Sequence, residues 1–134
     1  MRWETHSVEE TEAVGKRYAE GITGGCVIAL YGGLGMGKTA FVRGMAQTLC
    51  PEAEVSSPTF AIVNDYGRLV HFDMYRITGW EDLETTGFFE YIDRGAVVVT
   101  EWSENIEGAL PADTRRVRFT RLSDTERLLE TEEP

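Results

Sequence analysis

The apolar residues of the chain occur in two patterns, short continuous runs and runs with helical spacing. Residues 26–31 form a continuous apolar run of the kind found in buried strands, and the mainly apolar runs 69–72 and 96–100 are also predicted to form strands. From residue 38 to residue 49, apolar side chains recur every three or four positions, which predicts a helix with one apolar face. A predicted strand at 26–31 is therefore followed, after a glycine-rich segment, by a predicted helix.

The N-terminal segment is also predicted to form a helix. Ser7, with Glu10 three residues later, is typical of a capping box, in which the two side chains bind backbone N–H groups of the first turn. Gly21 and the glycine pair at 24–25 end this helix. Its predicted inner face consists of Val8, Thr11, Val14, Tyr18 and Ala19.

Two pairs of short runs predict β-hairpins. Residues 60–63 and 69–72 flank the stretch 64–68, which contains the turn-forming residues Asn, Asp and Gly. Residues 115–122 and 127–131 alternate weakly between polar and apolar side chains. They are predicted to form a terminal hairpin at the edge of the sheet.

The remaining stretches predict short helices and no second domain. Residues 80–86, closed by Gly87, are predicted to be helical, with another turn over 88–92 and a helix or loop over 103–110. We find no internal repeat, low-complexity segment or linker in the sequence. A chain of 134 residues is large enough for one core, so a single domain is predicted.

Composition restricts where the protein works and what it contacts. No apolar run approaches the length of a membrane span, and the polar N-terminus is unlike a secretory signal. Cys26 in a predicted strand and Cys50 at a helix end are interpreted as reduced side chains of a cytoplasmic protein. The formal net charge of −10 disfavours direct binding of nucleic acid, but it allows work on RNA through a basic partner.

The glycine-rich segment matches the phosphate-loop pattern G-x-x-x-x-G-K-[ST] at Gly32, Gly37, Lys38 and Thr39. Glycines let backbone N–H groups approach phosphate oxygens, and the positive end of the following helix adds to the attraction. Lys38 can contact the β- and γ-phosphates, and the Thr39 hydroxyl suits Mg²⁺. The alternative is a glycine-rich turn with an incidental Lys-Thr pair, but the flanking strand and helix favour a nucleoside triphosphate site. The residues predicted to contact the nucleotide here are Gly33, Leu34, Gly35, Met36, Gly37, Lys38, Thr39 and Ala40.

Two acids at strand ends are candidates to complete this site. Glu101 follows the run 97–100 and Asp73 follows the run 70–72, and open α/β sheets bind ligands at such strand ends. We predict that Glu101 coordinates Mg²⁺, directly or through water. Two roles remain open for Asp73, orientation of the attacking water and support of the metal. The alternative for each acid is a solvated side chain without function.

Three further features are ambiguous on local sequence alone. His71 is predicted to point to the face opposite Phe72, and a lone histidine in a strand is more often packed or exposed than functional. Trp102 could shield a nucleotide or simply pack. The Ser-Pro-Thr turn at 57–59 could approach the phosphates, but a connector is the better interpretation.

Five sequence blocks occur in order between Gly32 and Trp102. They are G-x-L-G-x-G-K-T-x-F-x-R-G, S-P-T-F-x-x-V-x-x-Y, H-F-D-x-Y-R, D-L-x-x-x-G and E-W. This combination resembles the TsaE family, small bacterial P-loop ATPases required to make threonylcarbamoyladenosine beside the anticodon of tRNA. The resemblance implies a P-loop NTPase-like three-layer α/β fold with a mainly parallel central sheet and antiparallel edge hairpins. It also implies ATP and Mg²⁺ as ligands, and ATP hydrolysis that is slow or depends on partners.

The same resemblance implies roles for the central residues of the site. Lys38 matches the phosphate lysine of the family, and Thr39 and Glu101 match its Mg²⁺ residues. Asp73 matches the aspartate that catalysis requires. Lys38, Asp73 and Glu101 are therefore the predicted catalytic residues.

Around this centre the resemblance implies further contacts. Trp102 matches a tryptophan beside the nucleotide, and Thr59 falls in a switch-like loop close to the phosphates. Thr11 and Arg127 match nucleotide contacts made by the N-terminal helix region and the C-terminal hairpin of the family. Gly33 departs from the family pattern, which usually has an acid there. Since Gly33 is not a fixed loop position, nucleotide binding is expected to survive.

The resemblance finally implies TsaD-like and TsaB-like partners, with tRNA contacted only through the complex. The acidic surface agrees with that arrangement. A stand-alone P-loop kinase acting on a small molecule is an alternative, but it would need an acceptor pocket and an arginine-bearing lid. The only arginines between residues 59 and 101 are Arg68, Arg76 and Arg94. No predicted helix in this stretch is long enough to form a lid that carries them. A regulatory subunit that hardly turns over, with its site as a nucleotide switch, is a further alternative.

Overall fold

The structure is a computed structural model and describes residues 1–33, 37–55 and 62–133 of the chain. The strands are β1 Arg2–Thr5, β2 Cys26–Tyr31, β3 Val63–Asp65, β4 Leu69–Asp73, β5 Val97–Glu101, β6 Arg115–Arg121 and β7 Arg127–Glu132. The helices are α1 Val8–Glu20, α2 Lys38–Leu49, α3 Trp80–Thr85 and α4 Phe88–Asp93, and a 3₁₀ segment, Ser103–Ala109, follows β5.

The strands form one mixed sheet in the order β1-β7-β6-β2-β5-β4-β3. The four middle strands, β6, β2, β5 and β4, are parallel to one another. At one side β3 is antiparallel to β4, and at the other side β7 is antiparallel to β6 and β1 to β7. The prediction of a mainly parallel centre with antiparallel pairs towards the edges is confirmed.

Helices cover both faces of the sheet, but not over its whole width. α1 and α2 pack on one face, where Phe41 joins Ile28 and Phe119 in a core that reaches β7. On the other face α3, α4 and the 3₁₀ segment pack around Phe72 and Phe88. Within the described residues, this second core contains nothing from β1, β6 or β7. The predicted three layers therefore hold over β2, β5 and β4, and not over β6, β7 and β1.

Two glycines let α1 and α2 approach more closely than side chains would allow. A Cβ atom on Gly15 would lie 2.1 Å from the carbonyl oxygen of Phe41. A Cβ atom on Gly44 would lie 1.9 Å from the carbonyl oxygen of Glu12. Because both obstructing atoms belong to the backbone, no side-chain rotation can relieve the contact. The close approach holds α1 against the helix that follows the glycine-rich segment.

Replacing Gly44 with alanine is expected to destabilise the fold by about 1–3 kcal/mol, because the two helices must separate to admit the methyl group. Helix propensity alone predicts the opposite sign, since alanine is favoured over glycine in a helix interior by about 1 kcal/mol. Urea unfolding of the variant and the wild type measures the difference. Gly108→Ala is the matched control, because Gly108 lies in the 3₁₀ segment and a Cβ atom there meets nothing within 4 Å. Equal stability of the two variants would contradict the close helix contact.

The Ser7 half of the predicted capping box is confirmed, whereas Glu10 binds the backbone N–H one residue before the N-cap. Ser7 is the N-cap residue, and its Oγ accepts a hydrogen bond from the Glu10 N–H at 3.1 Å. The carboxylate of Glu10 accepts from the backbone N–H of His6, at 3.0 Å. The predicted inner face is confirmed at the buried residues Thr11, Tyr18 and Ala19, and it is wrong at Val8, which is 57% exposed. Val8 is the first residue of α1 and precedes the contact between α1 and α2.

Both predicted hairpins form, with corrections to each. β3 begins at Val63, so Asn64 and Asp65, predicted as turn residues, pair with β4 instead. The C-terminal hairpin is not at the edge of the sheet, because β1 pairs with β7 and takes the edge position. No strand was predicted over residues 2–5, since a polar edge strand contains no apolar run. Residues 60–61 of the predicted first strand lie outside the described residues.

The shorter predicted elements agree with the structure. α3 and α4 occupy the two predicted helical stretches, and the stretch left as helix or loop is the 3₁₀ segment. Cys26 and Cys50 are both free, as predicted. Among the described residues there is no helix with the length and hydrophobicity of a transmembrane span.

Candidate functional site

The central residues of the predicted site meet where the parallel strands end. Leu30 of β2 pairs in register with Glu101 of β5, and Glu101 pairs in turn with Asp73 of β4. β2 ends one residue after Leu30, and the chain enters the glycine-rich segment before α2 begins at Lys38. The structure therefore brings Lys38, Glu101 and Asp73 to one edge of the sheet.

Lys38 is buried although it carries a charge, with its side chain 5% exposed. Its Nζ donates a hydrogen bond to the carbonyl oxygen of Gly32 at 2.6 Å and lies 3.5 Å from Oε1 of Glu101. The same Nζ lies 5.2 Å from the ring centroid of Trp102, within the range of a cation–π contact. These three contacts replace the hydrogen bonds with water that the ammonium loses on burial.

Glu101 is a buried carboxylate with a partner on each oxygen. Oε1 faces Lys38, and Oε2 accepts a hydrogen bond from Nε2 of His71 at 2.6 Å. Burial raises the pKa of Glu101, but the hydrogen bond from His71 and the electrostatic attraction of His71 and Lys38 outweigh it, so the pKa lies below its ordinary value. Glu101 is therefore ionised at neutral pH, which is the state that a cation ligand requires.

His71 is the residue of this site that sequence reasoning missed. Its side chain is fully buried and lies on the same face of β4 as Asp73, two residues before it. The prediction that it points away from the face of Phe72 is confirmed, and it is packed rather than exposed. Its contact with Glu101 joins two strands 30 residues apart, which no local pattern shows. The block H-F-D-x-Y-R, which begins at His71, was the one available signal.

Asp73 is half-buried at the end of β4, and its Oδ1 accepts a hydrogen bond from the Tyr75 N–H at 2.9 Å. The turn that follows is tied to β5, because the Met74 N–H donates to the Glu101 carbonyl at 2.9 Å. The side-chain amide of Asn105 donates to the Met74 carbonyl, also at 2.9 Å. These bonds fix the backbone of Asp73 relative to Glu101.

Trp102 has a left-handed backbone, with φ 60° and ψ 40°. Among the described residues it is the one non-glycine residue with positive φ. Such a conformation costs of order 1 kcal/mol and persists where the surroundings hold it. Here it turns the chain directly after Glu101 and leaves the indole between Lys38 and the ring of Tyr75, whose centroid is 5.1 Å away.

Thr11 and Arg127, predicted as peripheral contacts, lie in one groove beside the start of α2. The Thr11 hydroxyl pairs with that of Thr5 at 2.8 Å, and its methyl carbon lies 3.5 Å from the position of a Cβ atom on Gly37. Nη1 of Arg127 donates to the Ser123 carbonyl at 2.8 Å. Direct contact of either side chain with a ligand stays a prediction. The groove is also lined by Ser7, Ala40 and Thr125.

The predicted phosphate loop is described only in part. Gly37 has φ 91°, the left-handed region that a residue with a side chain rarely adopts, which explains a glycine at this fixed position. Gly33 is exposed, and a Cβ atom there meets nothing within 4 Å, so the position has room for an acidic side chain. The other predicted residues of the loop and the switch segment lie outside the described residues; these are Leu34, Gly35, Met36 and Thr59.

The oxygen donors at this edge suit Mg²⁺ together with a nucleotide. Among the described residues, no group of three or more His, Cys, Asp or Glu side chains could hold a metal by itself. Mg²⁺ does not need such a cage, since one or two carboxylates, phosphate oxygens and waters commonly hold it. The Thr39 hydroxyl and the carboxylates of Glu101 and Asp73 are hard oxygen donors of this kind. The residues present therefore fit a metal that arrives with phosphates.

Fold and site together define a class of protein. It is an α/β protein whose described residues form a seven-stranded mixed sheet, parallel in the middle, with a candidate phosphate site where the parallel strands end. Within this class, the family model described as Threonylcarbamoyl adenosine biosynthesis protein TsaE matches residues 5–129. The chain belongs to the TsaE family, as the five sequence blocks indicated.

Individual relatives agree with this family assignment. The tRNA threonylcarbamoyladenosine biosynthesis protein TsaE of Bacillus subtilis is 37% identical over 131 residues, which cover 95% of this chain and 82% of the relative. The protein of the same name from Treponema pallidum is 35% identical over 130 residues, covering 95% of this chain and 96% of the relative. The crystal structure of Bacillus subtilis YdiB matches all of this chain and 86% of its own, with a TM-score of 0.79 and 32% identity.

Proposed function

We propose that the protein binds ATP with Mg²⁺ at residues 32–39 and hydrolyses it as an accessory subunit in the formation of threonylcarbamoyladenosine in tRNA. The observation that carries this proposal is the buried Lys38–Glu101 pair at the start of α2. A cation and a carboxylate 3.5 Å apart suit the two charged parts of one ligand, the phosphates and the metal that accompanies them. Membership of the TsaE family supports the role in tRNA modification.

Nucleotide binding exchanges the partners of Lys38. In the structure its ammonium contacts a neutral carbonyl at Gly32 and the carboxylate of Glu101. A phosphate offers a charged acceptor, and charge-assisted hydrogen bonds are about twice as strong as neutral ones. Lys38 then turns to the β- and γ-phosphates, and Glu101 becomes available, with the Thr39 hydroxyl, as a Mg²⁺ ligand. Bound Mg²⁺ supplies neutralisation of the charge on the phosphates.

Hydrolysis further requires a water aligned with the γ-phosphate. Asp73 is suited to accept a hydrogen bond from that water, because it lies beside Glu101 in the register of β4 and β5 and is only half-buried. Trp102 limits solvent on the side of Lys38, and the groove with Thr11 and Arg127 extends the site beyond the phosphates.

The output of hydrolysis is a change that partner proteins detect. The net charge of −10 makes the chain a poor tRNA ligand by itself, so tRNA is reached through TsaD-like and TsaB-like partners in the cytoplasm. Reconstitution tests this proposal. Mg²⁺-dependent ATP turnover that the partners increase, together with loss of tRNA modification when this chain is omitted, is the expected result. Absence of turnover alone and with partners would refute the ATPase, and phosphorylation of an added small molecule would favour a kinase.

Thr59→Ala is expected to bind ATP nearly normally while losing a nucleotide-dependent difference in partner affinity. The reason is that a ligand shifts a conformational equilibrium only by its differential binding, and Thr59 is proposed to contact the γ-phosphate or the metal. Partner affinity is measured for wild type and Thr59→Ala with a non-hydrolysable ATP analogue and with ADP. Thr59→Ser, which keeps the hydroxyl, is the matched control. Identical affinities with both nucleotides in the wild type would exclude the switch and leave the ATP site standing.

A further inference from the structure

His71 is a fully buried polar side chain for which the proposed ATP chemistry has no use. Its Nε2 lies 2.6 Å from Oε2 of Glu101, and its Nδ1 is buried without a hydrogen-bond partner in the described part of the chain. No other buried side-chain nitrogen or oxygen among the described residues lacks a partner. An unsatisfied buried nitrogen is unfavourable, and the adjacent positions of β4, Val70 and Phe72, are apolar. A histidine here is therefore unfavourable as a core residue, and its one polar contact within the described part of the chain is with Glu101.

The two contacts of the Glu101 carboxylate differ in strength. The distance to Lys38 is 3.5 Å, at the limit of a hydrogen bond, whereas the distance to His71 is 2.6 Å. A carboxylate has no proton to donate, so the N–H belongs to the His71 ring. When Lys38 turns to a phosphate, the His71 hydrogen bond is the contact that continues to hold the side chain.

We propose that His71 is a positioning residue for Glu101. Its Nε2–H holds Oε2, so that Oε1 stays directed towards the side of Lys38, where the phosphates and their metal are proposed to bind. This inference rests on the proposed function and adds to it a residue that touches neither nucleotide nor metal. Hydrogen-bonded partners behind metal ligands fix the orientation of those ligands, and their loss typically weakens metal affinity roughly 10- to 100-fold.

The test measures the affinity of the full chain for a metal. Metal affinity depends on the orientation of Glu101, whereas a packing defect mainly lowers the stability of the fold. Mn²⁺ is titrated into the complex with a non-hydrolysable ATP analogue and followed by electron paramagnetic resonance. His71→Leu, which removes the donor and keeps an apolar volume, is expected to weaken Mn²⁺ binding roughly 10- to 100-fold. His71→Gln, whose amide nitrogen can replace Nε2, is expected to restore it to within about threefold. Binding of the analogue without metal is expected to be unchanged in both variants.

Thr100→Val is the matched control for a lost buried hydrogen bond. Thr100 precedes Glu101 on the opposite face of β5, and its hydroxyl lies 2.6 Å from that of Ser103. If His71→Leu affects metal affinity no more than Thr100→Val does, the positioning role is overturned. If the leucine variant does not fold, His71→Asn replaces it, because the shorter amide of asparagine cannot reach Oε2. The same loss of Mn²⁺ affinity is expected, and an effect no larger than that of Thr100→Val overturns the positioning role.

A double-mutant cycle separates action through Glu101 from a general effect. In a Glu101→Gln background, adding His71→Leu is expected to cause no further loss of Mn²⁺ affinity, because the oriented ligand is already gone. An additive loss would overturn the proposal. If the wild type itself shows no metal-dependent binding of the ATP analogue, the proposed function fails and this inference fails with it. If the wild type shows metal-dependent binding of the ATP analogue and His71→Leu has the same Mn²⁺ affinity, only the positioning role is refuted.

Discussion

A Lys38→Ala variant is expected to bind ATP about 10- to 100-fold more weakly than the wild type, because charge-assisted hydrogen bonds worth roughly 1.5–3 kcal/mol disappear with the ammonium. Burial increases the expected effect. The Lys38 side chain is only 5% exposed, so water screens its charge less and its attraction to a phosphate is stronger than that of a surface lysine. Isothermal titration calorimetry with Mg²⁺ and ATP measures the loss. The variant must first be shown to be folded, because it also removes a partner of Glu101.

The chain offers a matched control for this prediction. Lys16 and Lys38 are its two lysines, and Lys16 is exposed on α1. Lys16→Ala makes the same chemical change and lowers the net charge equally, so it separates a specific phosphate contact from a general electrostatic effect. It is expected to leave ATP affinity unchanged. Equal affinities of Lys38→Ala and wild type would remove the assignment of residues 32–39 as a phosphate site.

The parts of the fold that the sequence predicted are those that local pattern determines. β2 and α2 have the predicted bounds, because a buried parallel strand is apolar throughout and a helix on one face of a sheet has a single apolar stripe. The fixed residues of the predicted phosphate loop all lie within residues 32–39, so a local pattern is enough to find them. The strand-end argument for Glu101 and Asp73 also needed no tertiary information, since parallel neighbours end at the same edge.

The parts that could not be predicted depend on contacts between distant segments. β1 is a strand only because β7 lies beside it, more than 120 residues later in the chain. Gly15 and Gly44 are unfavourable inside helices by propensity, and the reason for them becomes visible only where α1 and α2 pack together. His71 gains its role from Glu101 on the next strand. In each case the residue type is explained by the backbone or side chain opposite it.

Sequence alone left two roles open for Asp73, whereas in the structure the surroundings of Asp73 and Glu101 differ. Glu101 is buried between a lysine and a histidine, and its pKa lies below its ordinary value in spite of burial. Asp73 is half-buried and hydrogen-bonded to a backbone N–H of the next turn. A buried ionised carboxylate suits a metal ligand, and a carboxylate closer to solvent suits contact with water. This difference favours the first of the two roles left open for Asp73.

Asp73→Asn is expected to reduce ATP turnover roughly 100-fold or more while ATP affinity with Mg²⁺ stays within about threefold of the wild type. The amide keeps an oxygen to accept the Tyr75 N–H, so the turn after β4 is preserved. It cannot accept a proton or orient water as strongly as the carboxylate does. Phosphate release under saturating ATP measures turnover, and calorimetry measures affinity on the same preparation.

The companion variant for this measurement is Asp65→Asn. Asp65 ends β3 as Asp73 ends β4, but it pairs in register with Val70, near the start of β4, and binds Arg94. Its replacement is expected to leave turnover unchanged. If Asp73→Asn lowers the Mg²⁺-dependent part of ATP affinity together with turnover, Asp73 supports the metal instead of the water. If neither quantity changes, Asp73 is a structural acid that caps its turn, and another group must orient the water.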